Sequence, residues 1–211
     1  TDKGGNTGTN GTASSPLVAT IDTAAPYAVN RNTPANYTNQ SSNSVEFNIT
    51  AIDNVDPTMT CTIYLNATAN ASSTVVNNTR TSISENLPQG HWIWNVSCVD
   101  SGGLANSTST NWDLIVDSTD PGVTFATPTS ANNTNTTNNY FEVNATYTEL
   151  NPAVCLVQIT NSTGTVNYTM TKEGHNSTYN ACWFNATSQS NYSAIGYTVY
   201  GSDAAGNDGA S

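Results

Sequence analysis

Residues 16–26 read PLVATIDTAAP, and residues 112–121 read WDLIVDSTDP. In each stretch apolar side chains recur at alternate positions: Leu17, Ala19 and Ile21 in one, Trp112, Leu114 and Val116 in the other. Period-two alternation is the mark of a half-buried β-strand. The Asp-x-x-x-Pro that follows, Asp22 to Pro26 and Asp117 to Pro121, punctuates a boundary. The later copy closes a unit that opened after the earlier one. The earlier copy closes nothing ahead of it, and Ser211 comes before any third copy. The expectation is a strand too many at the front, a last strand missing at the back, and copies that complete one another head to tail.

Working outward, the repeat has a period of about 95 residues. FNITAID (47–53) recurs as VNATYTE (143–149), each followed by a Cys, and the late Asp-Gly-Asn turns are 100–106 and 203–207. The turn DKGGN at 2–6 has the spacing of DAAGN at 203–207. Within the units, Val45, Phe47, Ile49 and Ala51 alternate, as do Met59, Cys61, Ile63 and Leu65, and Trp92, Trp94, Val96 and Cys98. In the second unit the inward sets are Phe141, Val143, Ala145 and Tyr147; Cys155, Val157 and Ile159; Val166, Tyr168 and Met170; Cys182 and Phe184; and Ile195, Tyr197 and Val199. No helical stripe is present. Short alternating strands with Asn, Gly and Pro between them predict an all-β chain of two tandem β-sandwiches, about seven strands each. The domains are 1–25, an N-terminal segment with a candidate donor strand (Leu17, Ala19, Ile21); 26–117; and 118–211, lacking its last strand.

Composition narrows the function. Lys plus Arg total 4, the net charge is −11, and only 9% of residues are charged. That balance excludes a basic nucleic-acid footprint and a polybasic membrane patch. No apolar run reaches the ~18 residues of a membrane-spanning helix. The absence of an initiator Met and of a leader predicts a processed chain or a window of a longer one. Cys61 and Cys98 share inward parity in one unit, and Cys155 and Cys182 lie in the other. Of three possible connectivities, pairing inside each unit is the simplest, and the context is extracellular.

The chain holds 17 Asn-x-Ser/Thr sequons: Asn10, Asn36, Asn39, Asn48, Asn66, Asn70, Asn77, Asn95, Asn106, Asn132, Asn135, Asn144, Asn161, Asn167, Asn176, Asn185 and Asn191. Its Asn and Ser/Thr content would produce about 8 by chance. Asn48, Asn66, Asn95, Asn144, Asn167 and Asn185 fall on outward strand positions, as acceptors of a glycan must. Covalent N-glycans are therefore expected; no cofactor is, and calcium alone is left as a candidate.

DTAAP (22–26), TAIDNVDPTMTCTIYLNAT (50–68), WNVSCVDSGGLAN (94–106), VDSTDP (116–121) and VYGSDAAGN (199–207) together resemble the bacterial-type Ig-like repeats of prokaryotic, especially archaeal, cell-surface proteins. The resemblance covers about 185 residues. It implies Ig-like sandwiches and an extracellular, non-enzymatic role in adhesion or surface scaffolding. The second unit departs from the first: Gly201 stands at the position of Cys98, so Cys182 must bridge different strands. In such a sandwich Asp22, Asp53, Asp56 and Asp100 meet at one pole, with Asp117, Asp120, Glu149 and Asp203 as the second unit's set. These are weak candidates for calcium, which takes oxygen ligands. Side chains serving turns are the commoner use of such Asp residues.

No catalytic residues are expected. His91 and His175 have no nucleophile context, and no carboxylate pair has a glycosidase motif. Trp92, Trp94 and Trp112 alternate with other core positions, whereas Trp183 faces outward. The expected function is a structural subunit of a heavily N-glycosylated extracellular filament whose partners are copies of itself. A repeat window of a long adhesin or surface-layer stalk is the alternative, and a carbohydrate- or receptor-binding module a third reading.

Overall fold

The computed structural model describes residues 21–132, 134–135, 137–138, 140–149, 151–176, 179–186 and 194–211. Among them the secondary structure is all β. The first unit contains β1 (Ala28–Thr33), β2 (Thr38–Gln40), β3 (Ser44–Ile52), β4 (Thr58–Leu65), β5 (Thr68–Val76), β6 (Thr81–Asn86), β7 (Gly90–Val99), β8 (Ala105–Ser107) and β9 (Trp112–Val116). The second contains β10 (Gly122–Ala126), β11 (Phe141–Thr148), β12 (Pro152–Asn161), β13 (Gly164–Thr169), β14 (Thr171–Asn176), β15 (Tyr179–Ala186), β16 (Gly196–Asp203) and β17 (Asp208–Ala210). The expected seven strands per unit are exceeded because β2, β8 and β17 are three-residue strands, too short to show a period.

Each unit pairs two sheets around its own core, as in a β-sandwich. In the first, the order β1-β3-β6 faces β2-β9-β7-β4-β5, with β8 on β7. Phe47, Ile49, Ile63, Leu114, Val116 and Trp94 fill the space between, and Phe47 meets Trp94 edge-on at 4.9 Å. In the second, β10-β11-β15-β14 faces β13-β12-β16-β17 around Phe141, Val143, Tyr147, Val157 and Val199. The strand parities place the expected residues inward with two departures. Val166 and Tyr168 are 52% and 40% exposed, because β13 is an edge strand that lies open along its length; only Met170 beyond it is buried. Trp92 and Trp112 pack on the core from its margin, while Trp94 lies fully inside.

The disulfides are Cys61–Cys98 and Cys155–Cys182. The first joins directly paired residues of β4 and β7 in one sheet. The second joins β12 to β15, and so one sheet to the other. Side-chain volume explains the change. Cys155 pairs with Gly201 as Cys61 pairs with Cys98. A Cβ at Gly201 would stand 2.5 Å from Cε2 of Tyr147. The first unit has Ala51 where the second has Tyr147, as the pairings Val29–Ala51 and Val123–Tyr147 show. Small plus Cys has become large plus Gly, and the bridge has moved to Cys182.

Two outcomes follow. Gly201→Ala is expected to destabilise the second unit by about 2–3 kcal/mol by overpacking, and Tyr147→Ala in the same chain to relieve the clash, both measured by urea unfolding. The Tyr147 hydroxyl donates to the Ser202 carbonyl and its pKa is pushed up to about 12. Burial is the main cause; a backbone hydrogen bond at Ala153 opposes it, and Glu149, Asp203 and Asp208 add to the rise. The folded value exceeds the ~10 of an unfolded tyrosine. The contribution is therefore complete below pH ~10 and is lost as pH rises toward ~12. Tyr147→Phe should flatten stability against pH in that window.

Candidate functional site

In the larger sheet of the first unit β9 lies between β7 and the edge strand β2. Strand β9 pairs antiparallel with Gly90–Trp94 of β7 and parallel with β2. Leu114 and Val116 turn into the core and are fully buried. Trp112 packs edge-on against Trp94 at 5.7 Å. The Arg31 guanidinium covers Trp112 at 4.3 Å, donates to the Trp94 carbonyl at 3.1 Å and reaches Thr110 Oγ1 at 3.0 Å.

In the second unit β16 is the counterpart of β7, and β17 pairs with it as β8 does with β7. Among the described residues no strand takes the place of β9. A cleft of about 950 Å³ lies there instead, lined by Ile195, Tyr197, Phe125, Phe141, Ser130 and Asn132. Phe125 occupies the β10 position that Arg31 holds in β1. It is 45% exposed and meets Tyr197 edge-on at 5.4 Å, while Phe141 stacks on Tyr197 at 5.8 Å. The Tyr197 hydroxyl donates to the Ser130 carbonyl, and burial raises its pKa. The walls mix aromatic and aliphatic side chains with Thr, Ser and Asn, and at residues 196–197 one flank is the start of β16. Such a slot offers apolar contacts at Phe125, Phe141, Ile195 and Tyr197 and polar partners at Thr129, Ser130 and Asn132 to an extended segment. Of the expected donor residues, Leu17 and Ala19 lie outside the described residues. Ile21 is 82% exposed, whereas its counterpart Val116 is fully buried.

Acidic residues gather where each unit begins. Asp22, Asp53 and Asp100 bring one carboxylate oxygen each within 4.8 Å of one another, and so do Asp117, Glu149 and Asp203. Two of the expected residues stand apart. Asp56 is buried, but both its oxygens accept from Ser101, through N at 2.8 Å and Oγ at 2.7 Å. Asp120 is exposed. The Asp side chains also serve turns, as expected. Asp53 Oδ1 accepts from Val55 N and Asp56 N at 2.8 Å each, and Asp203 Oδ1 from Ala205, Gly206 and Asn207 N at 2.7–2.9 Å.

The sequons divide by the work their amides do. Asn36, Asn66, Asn70, Asn132, Asn135, Asn167 and Asn185 are exposed; Asn39, Asn48, Asn95, Asn106, Asn144 and Asn161 are half-buried. Asn10 and Asn191 lie outside the described residues, as does the side chain of Asn176. Asn77 differs from the rest. Its Nδ2 donates to the carbonyls of Asp53 at 2.7 Å and Asp56 at 2.8 Å, and its Oδ1 accepts from Asp53 N at 3.1 Å. A glycan replaces one of those two hydrogens, so this sequon is a loop clamp. Sequence alone carries no signal for that, since the motif is complete.

His91 is exposed and pairs with Asp113 at 2.7 Å; the side chain of His175 lies outside the described residues. Trp183 is 40% exposed, on the outward face expected of it. Both cysteine pairs are oxidised, as an extracellular compartment permits. Among the described residues no helix is long and apolar enough to cross a membrane.

No family model matches the chain, and no curated protein matches it. Among solved structures, the crystal structure of a Salmonella alpha-2-macroglobulin mutant is similar over 87% of this chain, at 10% identity and a TM-score of 0.33. The match spans 16% of that protein's chain.

Asn77→Ala is expected to cost about 2–3 kcal/mol, since it removes three hydrogen bonds and leaves buried loop groups unpaired. Asn70→Ala, at an exposed sequon, should be near neutral. Thermal melts of the two variants compare them directly.

Proposed function

We propose that the chain is a structural subunit of an N-glycosylated extracellular filament, built of two tandem Ig-like sandwiches. Residues 16–22 of one copy lie in the cleft of the next copy's second unit and act as its β9. The observation that carries this reading is the cleft beside β16, at the place where β9 lies in the first unit. An open edge invites a strand from outside, and strand addition supplies backbone hydrogen bonds together with pockets for alternate side chains.

The register follows from the first unit. Trp112 pairs with Trp94 and Leu114 with Trp92. By the same register Leu17 sits opposite Tyr197 and Ala19 opposite Ile195, and Ile21 takes the buried place of Val116. Burying Leu17 and Ile21 contributes about 1.5–3 kcal/mol each. The contact is head to tail, so it propagates. The resemblance to surface-protein repeats and the sequon density support an extracellular setting.

The duplicated turn, 2–6 and 203–207, supports a second reading, a window of a longer repeat stalk in which the same strand joins covalent neighbours. Intact mass of the native, deglycosylated and reduced polypeptide separates the two: about 22.2 kDa for a discrete subunit, far more for a stalk.

The purified chain should form filaments by electron microscopy. Leu17→Asp should leave folded monomers, and excess peptide of residues 16–22 should cap growth. Filaments from Leu17→Asp as abundant as those of the wild type would sink the proposal.

A further inference from the structure

We infer that Asp22, Asp53 and Asp100 form a calcium site, and that the matching cluster Asp117, Glu149 and Asp203 does not. The two clusters have the same placement but opposite hydrogen-bond accounts.

In the first, each carboxylate has one oxygen satisfied by backbone: Asp22 Oδ1 by Ala24 N at 3.1 Å, Asp53 Oδ1 by Val55 and Asp56 N, and Asp100 Oδ1 by Leu104 N at 2.8 Å. The other oxygen, Oδ2, is buried in all three and accepts no hydrogen bond. Asp53 and Asp100 are only 5% and 7% exposed. Buried carboxylate oxygens without partners are costly unless a cation or donor meets them. The described basic side chains bond elsewhere: Arg31 to Trp94 O, Arg80 to Thr33 Oγ1 and Lys172 to Ala153 O. Oxygens within 4.8 Å of one another fit a Ca²⁺ held at about 2.3–2.6 Å from each. Mg²⁺ requires tighter, octahedral geometry. Water and backbone carbonyls complete the shell.

In the second cluster amides do the work of a cation. Gln89 Nε2 donates to Asp117 Oδ1 at 3.0 Å and Asn151 Nδ2 to Asp117 Oδ2 at 3.3 Å. Asn207 Nδ2 donates to Asp203 Oδ2 at 2.7 Å. The sequence differences are specific. Asn151-Pro152 stands where the first unit has Asp56-Pro57, so an amide donor replaces a carboxylate. Leu104 stands where the second unit has Asn207: each N–H donates to Oδ1 of its Asp, but leucine has no amide to offer, and Asp100 Oδ2 goes without a donor. The inference rests on this unit alone and not on strand donation.

The test is calorimetric titration of the full chain with CaCl₂ after chelation by EGTA, with thermal melts in each condition. One Ca²⁺ per chain is expected, with a higher melting temperature in calcium than in EGTA. Asp53→Asn should weaken binding at least tenfold, and Glu149→Gln should change it less than twofold. If Asp53→Asn does not fold, Asp22→Asn, at the more open ligand, serves instead and should weaken binding in the same sense. No calcium heat with identical melts, two sites of equal affinity, or loss of binding in Glu149→Gln would each overturn the inference.

Discussion

The pairing of β9 with β7 is the contact on which the first unit's core depends. It satisfies the backbone of β7 on the side away from β4, brings Leu114 and Val116 inside, and sets Trp112 between Trp94 and Arg31. A sandwich of this composition has little apolar surface to spare: hydrophobic residues are 36% of the chain. Losing one core strand removes both side chains and backbone partners. The second unit meets the same constraint with different means. A larger inward residue, Tyr147, fills the space opposite Gly201, and a disulfide crosses from sheet to sheet. Where neither reaches, beside Tyr197, the cleft remains. In the proposed assembly a neighbour's segment supplies what the first unit obtains from its own chain.

The two acidic clusters show how a repeat changes chemistry while keeping its geometry. Asp22, Asp53, Asp100, Glu149 and Asp203 each give one oxygen to a backbone N–H of a turn, and Asp117 gives both of its oxygens to side-chain amides. What varies is the group offered to the other oxygen. At the junction between the units, Gln89 comes from the first unit and Asn151 and Asn207 from the second, so Asp117 is held from both sides. That junction is closed by side chains already in the chain. The one at Asp22 has no such donors among the described residues.

Most of the architecture was legible in the sequence because it rests on period-two alternation, which sets the inward face without knowledge of the partner strand. The sets around Phe47, Ile63, Val143 and Val157 all turn inward. The correspondence of Gly201 with Cys98, and hence the need for a different bridge, was legible from the repeat. What alternation does not report is whether a facing sheet covers the strand. Val166 and Tyr168 alternate correctly on an edge strand that stays exposed, although the Tyr168 ring meets Phe184 of the facing sheet at 5.1 Å. Motif patterns fail in a similar way. Asn77 satisfies the sequon rule, but its amide is held by two carbonyls from a loop over twenty residues away. Asp56 belongs by composition with the other acids, yet Ser101 takes both its oxygens. Such assignments depend on contacts between distant segments, which a local pattern does not encode.

The two disulfides also set how the polypeptide responds to pulling. A chain under tension at its ends lengthens by unravelling, and each residue released adds at most ~3.3–3.6 Å. The 37-residue separation of Cys61 and Cys98 locks away about 130 Å of that length, and the 27-residue separation of Cys155 and Cys182 about 95 Å. Strands β4 to β7 and β12 to β15 lie wholly or largely inside these loops. Under an extending force the flanking strands would give way first, and the central hairpins of both units would stay folded. An oxidised chain is thus a short-travel tether, and reduction would convert it into a longer and softer one.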